Sequence, residues 1–103
     1  MAIVEYHEGV NVTRYNNIAE ELRKTYIAKN ADYGNSFDDT LDTFGPIAAV
    51  VRISDKFSRM RSLTKRGALV GESLRDTVMD MANYAIMFAM WLEKQEASDE
   101  SVD

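Results

Sequence analysis

An all-α fold, a small antiparallel bundle of three main helices completed by oligomerisation, is the architecture this sequence predicts. Three observations carry the prediction. Three long stretches, at about 13–30, 46–64 and 69–92, repeat apolar residues at spacings of three and four and hold no internal proline. The links between them are short and rich in Gly, Asn, Asp and Ser. No stretch alternates apolar and polar residues convincingly enough for a strand.

Taken in order, residues 1–11 are mixed, and Ile3-Val4-Glu5-Tyr6 is open to an extended reading. The first helix is expected from Asn11 or Thr13, either of which can cap it, to Asn30. Tyr15, Ile18, Ala19, Leu22, Thr25, Tyr26 and Lys29 share one side of it, with Glu21 at the edge of the apolar stripe. Residues 30–45 are rich in turn formers. Gly34 can supply a positive φ, Asn35 and Ser36 can cap, and a short helical turn from Ser36 to about Phe44 follows.

Pro46, the only proline, suits the first position of a second long helix ending near Thr64. Ala49, Val50, Ile53, Phe57 and Met60 are its expected apolar side. Arg52, Asp55, Arg59 and Ser62 line another, with Lys56 at the margin. The turn from Thr64 to Gly71 is short enough to make the following helix an antiparallel neighbour.

That following helix, 69–92, is the stretch around which the chain is organised. Leu74, Val78, Met81, Ala85, Phe88 and Leu92 form its expected core stripe. Glu72, Asp76, Asp80 and Asn83 form a second stripe at i, i+4, i+8 and i+11, flanked by Met79, Met87 and Met90. Acids continued by methionines point toward a partner helix or a cavity. Carboxylates grouped this way are how a helical protein assembles an oxygen-ligand site for a hard divalent cation. A second reading has Asp76 completing a capping box with Ser73 and the other acids solvated.

At 103 residues the chain is expected to be a single domain, 1–92, followed by a helix end and acidic tail at 93–103. Glu93, Glu96, Asp99, Glu100 and Asp103 against Lys94 hold most of the net charge of −5, and the last eight or so residues read as disordered. There is no cysteine for a disulfide or thiolate zinc site, and the single His7 cannot make a histidine cluster. No apolar run approaches the roughly 18 residues of a membrane span, and the start lacks the pattern of a signal peptide. The expectation is a cytoplasmic protein that does not engage a membrane. Phe88, Trp91 and the methionines from position 79 onward give the long helix more apolar surface than a thin bundle can cover, which predicts a homodimer or higher even oligomer.

Three groups of residues can carry chemistry. The acidic stripe of the long helix is one. Arg52, Asp55, Lys56 and Arg59 are another, able to hold phosphate oxygens, arginine through its planar donor fork. The third is the loop from Lys29 to Ser36, where Lys29, Asp32, Tyr33 and Gly34 bring a cation, a carboxylate, a ring and a pliant backbone together. Combined, they have the composition that a nucleotide and its metal need. The same charges can instead pair with one another across the helix interface. A nucleic-acid role is disfavoured, because the domain is not basic overall.

Lys-Asn-Ala-Asp-Tyr-Gly-Asn-Ser at 29–36, Arg-Ile-Ser-Asp-Lys-Phe-Ser-Arg at 52–59 and Glu-Ser-Leu-Arg-Asp-Thr-Val-Met-Asp-Met-Ala-Asn-Tyr-Ala at 72–85 resemble the nucleotide-modification-associated domain family of phages and bacteria. That family is in turn distantly similar to the MazG-like all-α nucleoside triphosphate pyrophosphohydrolases. The resemblance implies an all-α oligomer that binds a nucleotide, with Mg²⁺ as its cofactor. It also implies cleavage of a nucleoside triphosphate to the monophosphate and pyrophosphate, with a non-catalytic binding module or a structural helical oligomer as the alternatives.

On this reading Asp76 and Asp80 are catalytic and hold the metal with Glu72 or Asp55. Lys29, Arg52, Lys56 and Arg59 hold phosphates, Tyr33 stacks on the base, and Asp32 and Asn83 complete the substrate contacts. The MazG-like pair of motifs, Glu-x-x-Glu and a later Glu-x-x-Asp, is matched in part. Glu72, Asp76 and Asp80 lie on the later helix at spacing four, whereas Glu20-Glu21 is followed by Arg23 and Lys24.

Overall fold

The structure, a computed structural model, describes residues 2–30, 34–65 and 71–102, with side chains over 9–30, 34–65 and 74–98. Four helices follow in order: α1 Ala2–Lys29, α2 Gly34–Phe44, α3 Ile47–Thr64 and α4 Gly71–Val102. Among the described residues there is no strand. The all-α class is as expected, but the bundle has a fourth helix, and α1 and α4 both outrun their sequence limits. α4 continues through the acidic segment expected to be a disordered tail, which contains neither Gly nor Pro to stop it.

The break between α2 and α3 is local chemistry. Gly45 has a φ of 79°, a left-handed conformation that glycine reaches without a Cβ penalty, and its N–H donates to the Leu41 carbonyl at 2.7 Å. Pro46 follows, where a missing N–H costs nothing, and its carbonyl accepts from Ala49 N–H at 3.0 Å to open α3. At the other end of α2, Asn35 N–H donates to the Asn30 carbonyl at 2.9 Å, turning the chain back from α1.

Short as it is, α2 supplies the centre of the core. Phe37 and Leu41 are buried against Ala49 of α3 and Tyr84, Met87 and Trp91 of α4, with Leu41 and Ala49 at 0% exposure. Phe37 meets the Tyr84 ring edge-on at 5.0 Å, and Phe88 stacks on Trp91 at 6.5 Å. The Trp91 indole N–H donates to Asp42 at 2.9 Å, so the largest side chain of the core keeps its polar edge satisfied.

The expected inner faces are rotated. Among the described residues of α4 the buried ones are Thr77, Asn83, Tyr84, Met87 and Trp91, while Val78, Ala85 and Leu92 of the expected stripe stand exposed. α4 is apolar around much of its circumference, so spacing alone did not select a face. The rings that fit α2 did. On α3 the inward positions are Ala49, Ile53, Lys56, Met60 and Leu63, a helical progression that leaves Val50 and Phe57 outside and puts Lys56 on the inner side. Trp91, expected to feed an intersubunit surface, is 8% exposed within the chain's own core.

Candidate functional site

Asp76 and Asp80 of α4 open on a cleft against α1. Where the two helices run side by side, this cleft of about 410 Å³ opens between Glu21, Thr25 and Lys29 on α1 and Arg75, Asp76, Met79, Asp80 and Asn83 on α4, with Leu22 at its floor. The α1 residues recur every four positions and so stack on one side of the helix. The α4 residues follow the same rule, which is why Asp76, Asp80 and Asn83 of the stripe read from the sequence arrive together. Lys29, Asp76, Asp80 and Asn83, four of the sequence-predicted site residues, thus meet on one cleft.

Asn83 holds the cleft's width. It is 3% exposed, and its side-chain amide donates to the Leu22 carbonyl at 3.2 Å, tying α4 to the C-terminal third of α1. A buried amide left without that acceptor costs its desolvation. Although it lines the cleft, its amide is thus committed to the protein.

Two cations cross to the acids. Arg75 grips Glu21 with both nitrogens of its fork, at 3.2 and 2.6 Å. The Arg75 hydrogen bond holds the Glu21 carboxyl below its ordinary value, against a smaller opposing effect of desolvation, and Glu21 in turn raises Arg75. From α3, Lys56 reaches Asp80 at 3.1 Å, so Lys56 borders the cleft from a third helix.

The remaining members of the expected site are elsewhere. Arg52 is exposed, its guanidinium 5.9 Å over the Tyr84 ring, a cation–π contact outside the cleft. Asp55 and Arg59 are exposed on α3 and do not line the cleft, so the expected clamp of Arg52, Asp55, Lys56 and Arg59 reaches it through Lys56 alone. These four sit at helical spacing, but packing sends Lys56 inward and the others out. Asp32 and Tyr33 lie outside the described residues, as does the Glu72 side chain.

Among the described residues no three acidic or histidine side chains converge closely enough to hold a metal ion. Asp76 and Asp80 share the cleft with Glu21, but Arg75 and Lys56 draw Glu21 and Asp80 aside. Glu21, Thr25 and Arg75 are the cleft residues that sequence reasoning did not place. The signal for Glu21 was its position at the edge of the α1 apolar stripe, four residues before Thr25 and eight before Lys29. Arg75 carried none beyond adjacency to Asp76.

A second polar seam, between α2 and α4, is structural. Lys94 pairs with Asp38 at 2.7 Å, and that hydrogen bond raises the Lys94 ammonium above its ordinary value. With the Asp42–Trp91 hydrogen bond it fastens α2 to the second half of α4.

Among the described residues, no helix is long and apolar enough to cross a membrane. No curated protein and no solved structure matches the chain. The family model described as nucleotide modification associated domain 1 matches residues 29–92, which run from the last residue of α1 through α2 and α3 to the buried half of α4. That span holds Lys29, Asp76, Asp80 and Asn83 and covers more than half of the sequence, and the chain belongs to the nucleotide modification associated domain 1 family.

Proposed function

We propose that the chain handles nucleotides in the α1–α4 cleft, as a Mg²⁺-dependent nucleoside triphosphate pyrophosphohydrolase. The observation that carries this reading is that Glu21, Asp76 and Asp80 open on one cleft together with Lys29 and Arg75. Carboxylate oxygens are the donors a hard divalent cation takes, and lysine and arginine are those a phosphate takes. The donor types of the cleft are those that a cation and phosphate bound together take; Asp76, Asp80 and Glu21 line the cleft without converging on one point, so holding the cation would require them to be drawn together, with Glu72, one turn before Asp76 on α4, as a further acid. Bound there, Mg²⁺ supplies polarisation of the phosphoanhydride and an activated water.

The chain's own residues supply the rest. Glu21 and Asp80 are each matched by a basic side chain; the Glu21–Arg75 pair is half-exposed, so exchanging its partners costs little, while the Lys56–Asp80 pair is part-buried. Arg75 and Lys56 can turn from the carboxylates to phosphate oxygens, and Lys29 extends the cationic side toward the end of α1. Asp32 and Tyr33 are the proposed contacts to the base. Asn83 acts as a positioning residue, setting the spacing of the two helices through Leu22. Arg52, Asp55 and Arg59 have no part in this scheme.

A second reading, a nucleotide-binding module without turnover, is favoured by the two ion pairs themselves, which commit Glu21 and Asp80 to Arg75 and Lys56. Incubation with a panel of nucleoside triphosphates and Mg²⁺, read as pyrophosphate release, separates the two. Turnover should appear and drop at least about a hundredfold in Asp76→Asn and Asp80→Asn, as loss of metal support does. Tight binding by calorimetry with no release assigns the binding module, and absence of both sinks the nucleotide reading.

A further inference from the structure

Among the described residues, the acids and cations of the cleft balance. Glu21, Asp76 and Asp80 stand with Lys29, Arg75 and Lys56, the last reaching in from α3. Two of the three acids are already gripped. Arg75 holds both oxygens of Glu21, at 3.2 and 2.6 Å, and Lys56 holds Asp80 at 3.1 Å. Arg75 keeps Glu21 on the α1–α4 seam while Lys56 turns Asp80 toward α3. The acids therefore line one cleft without meeting at a point.

Either kind of ligand alone is penalised in a cleft balanced this way. A divalent cation drawn to Glu21 and Asp80 displaces Arg75 and Lys56, and then repels the two charges it has set free. A phosphate chain drawn to Arg75 and Lys56 leaves two carboxylates unpaired beside its own negative charge. Both together leave every charge matched. Exposed or part-buried pairs of this kind shift an affinity by about fivefold each.

The helices need not part for the exchange. Asn83 ties α4 to the Leu22 carbonyl through a hydrogen bond that neither ion pair shares. Arg75 and Lys56 are long side chains, so releasing an acid takes only a change of rotamer.

We infer that Arg75 and Lys56 form a latch on the acids, so that cation and phosphate bind the cleft cooperatively, each raising the affinity for the other. This latch rests on the reading of the cleft as a cation and phosphate site, and adds the rule by which that site admits its ligands. It favours a chelate of a divalent cation with a chain of phosphates over either component. Arg75 and Asp80, the α4 members of the two pairs, are about 7.5 Å apart in helix rise. A single phosphate thus reaches one latch cation, and a chain of phosphates reaches both.

Calorimetric titration of the full chain with Mn²⁺ alone, and with tripolyphosphate alone in EDTA, tests the latch without any nucleotide. The Mn²⁺ site is the one that Asp76→Asn abolishes. Arg75→Gln should tighten Mn²⁺ there by about fivefold and weaken tripolyphosphate at least as much, and Lys56→Gln should do the same. Opposite shifts from one substitution are the signature. Lys29→Gln controls for charge alone. Lys29 lines the cleft but forms no ion pair among the described residues, so its loss should weaken tripolyphosphate and move Mn²⁺ by less than about twofold.

Mn²⁺ affinity that stays level or falls in Arg75→Gln, or that rises as much in Lys29→Gln, overturns the latch. So does a protein that takes neither probe in any of these forms. If Lys56→Gln fails to fold, Arg75→Gln decides alone. Nucleoside triphosphate binding with Mn²⁺ affinity unmoved by Arg75→Gln removes the latch and leaves the nucleotide reading. Opposite shifts in a protein that binds no nucleoside triphosphate do the reverse.

Discussion

Glu21 and Arg75 show how much one pair of side chains decides at this cleft. Both are half-exposed, so their attraction is screened and its worth to stability is small, but its geometry is bidentate and it sets the ionisation of Glu21. The folded-state carboxyl lies below its ordinary value of 4.5. Whatever stability the pair contributes is therefore present above that value and is lost as pH falls through the lowered one. An NMR titration of the Glu21 carboxyl should give a midpoint below 4.5 that returns toward it in Arg75→Gln. An unshifted midpoint in the wild type would show that Arg75 does not hold Glu21 in solution. Lys56 is the complementary case, a lysine on the inward line of α3 that reaches Asp80 because Ala49, Ile53, Met60 and Leu63 on the same line are packed.

At the scale of the element, α2 makes the difference between three helices and a bundle with a core. It is a strongly two-sided helix whose Phe37 and Leu41 go inward while Asp38 and Asp42 reach Lys94 and Trp91. Its entry is tight. A Cβ on Gly34 would meet the Asn30 Oδ1 and lie 2.9 Å from the Tyr26 ring, closer than real contacts permit. Gly34→Ala should therefore shift Tyr26 or the start of α2 and destabilise the fold by about 1–3 kcal/mol, the cost of overpacking a filled site. Urea unfolding measures it, and a midpoint equal to wild type would mean that the Asn30 and Tyr26 side chains yield freely.

For the whole molecule, the core lies where α2 crosses α3 and α4, and α1 joins mainly through Leu22, Tyr26 and the Asn83 hydrogen bond. The consequence is a 51 × 39 × 23 Å body in which stability is concentrated away from the exposed residues 11–21 of α1. Leu41 is the best-buried large side chain, and Leu41→Ala should cost about 2–5 kcal/mol through lost transfer energy and the cavity left behind. Thermal unfolding followed at Trp91 reads this directly, since the indole sits in the same cluster. A loss under about 1 kcal/mol, below the range for a buried leucine, would place the core elsewhere.

The sequence by itself determined what depends on local chemistry. Helical spacing without proline set the α class, Gly45-Pro46 set the break before α3, and the i, i+4, i+8 progression of Glu72, Asp76 and Asp80 put these residues on one side of α4. The motifs at 29–36, 52–59 and 72–85 pointed to the family that the chain belongs to. Tertiary structure decided which of several apolar faces turned inward, because α4 offers apolar residues in nearly every direction and only the fit of Tyr84, Met87 and Trp91 around Phe37 and Leu41 discriminates among them. It also decided the membership of the cleft. Glu21 and Arg75 are 54 positions apart and share no pattern that spacing can reveal, and Lys56 and Arg59 differ by less than a turn yet face opposite environments. Periodicity reports which residues share a side of one helix; which helix that side meets is set by the packing of all four.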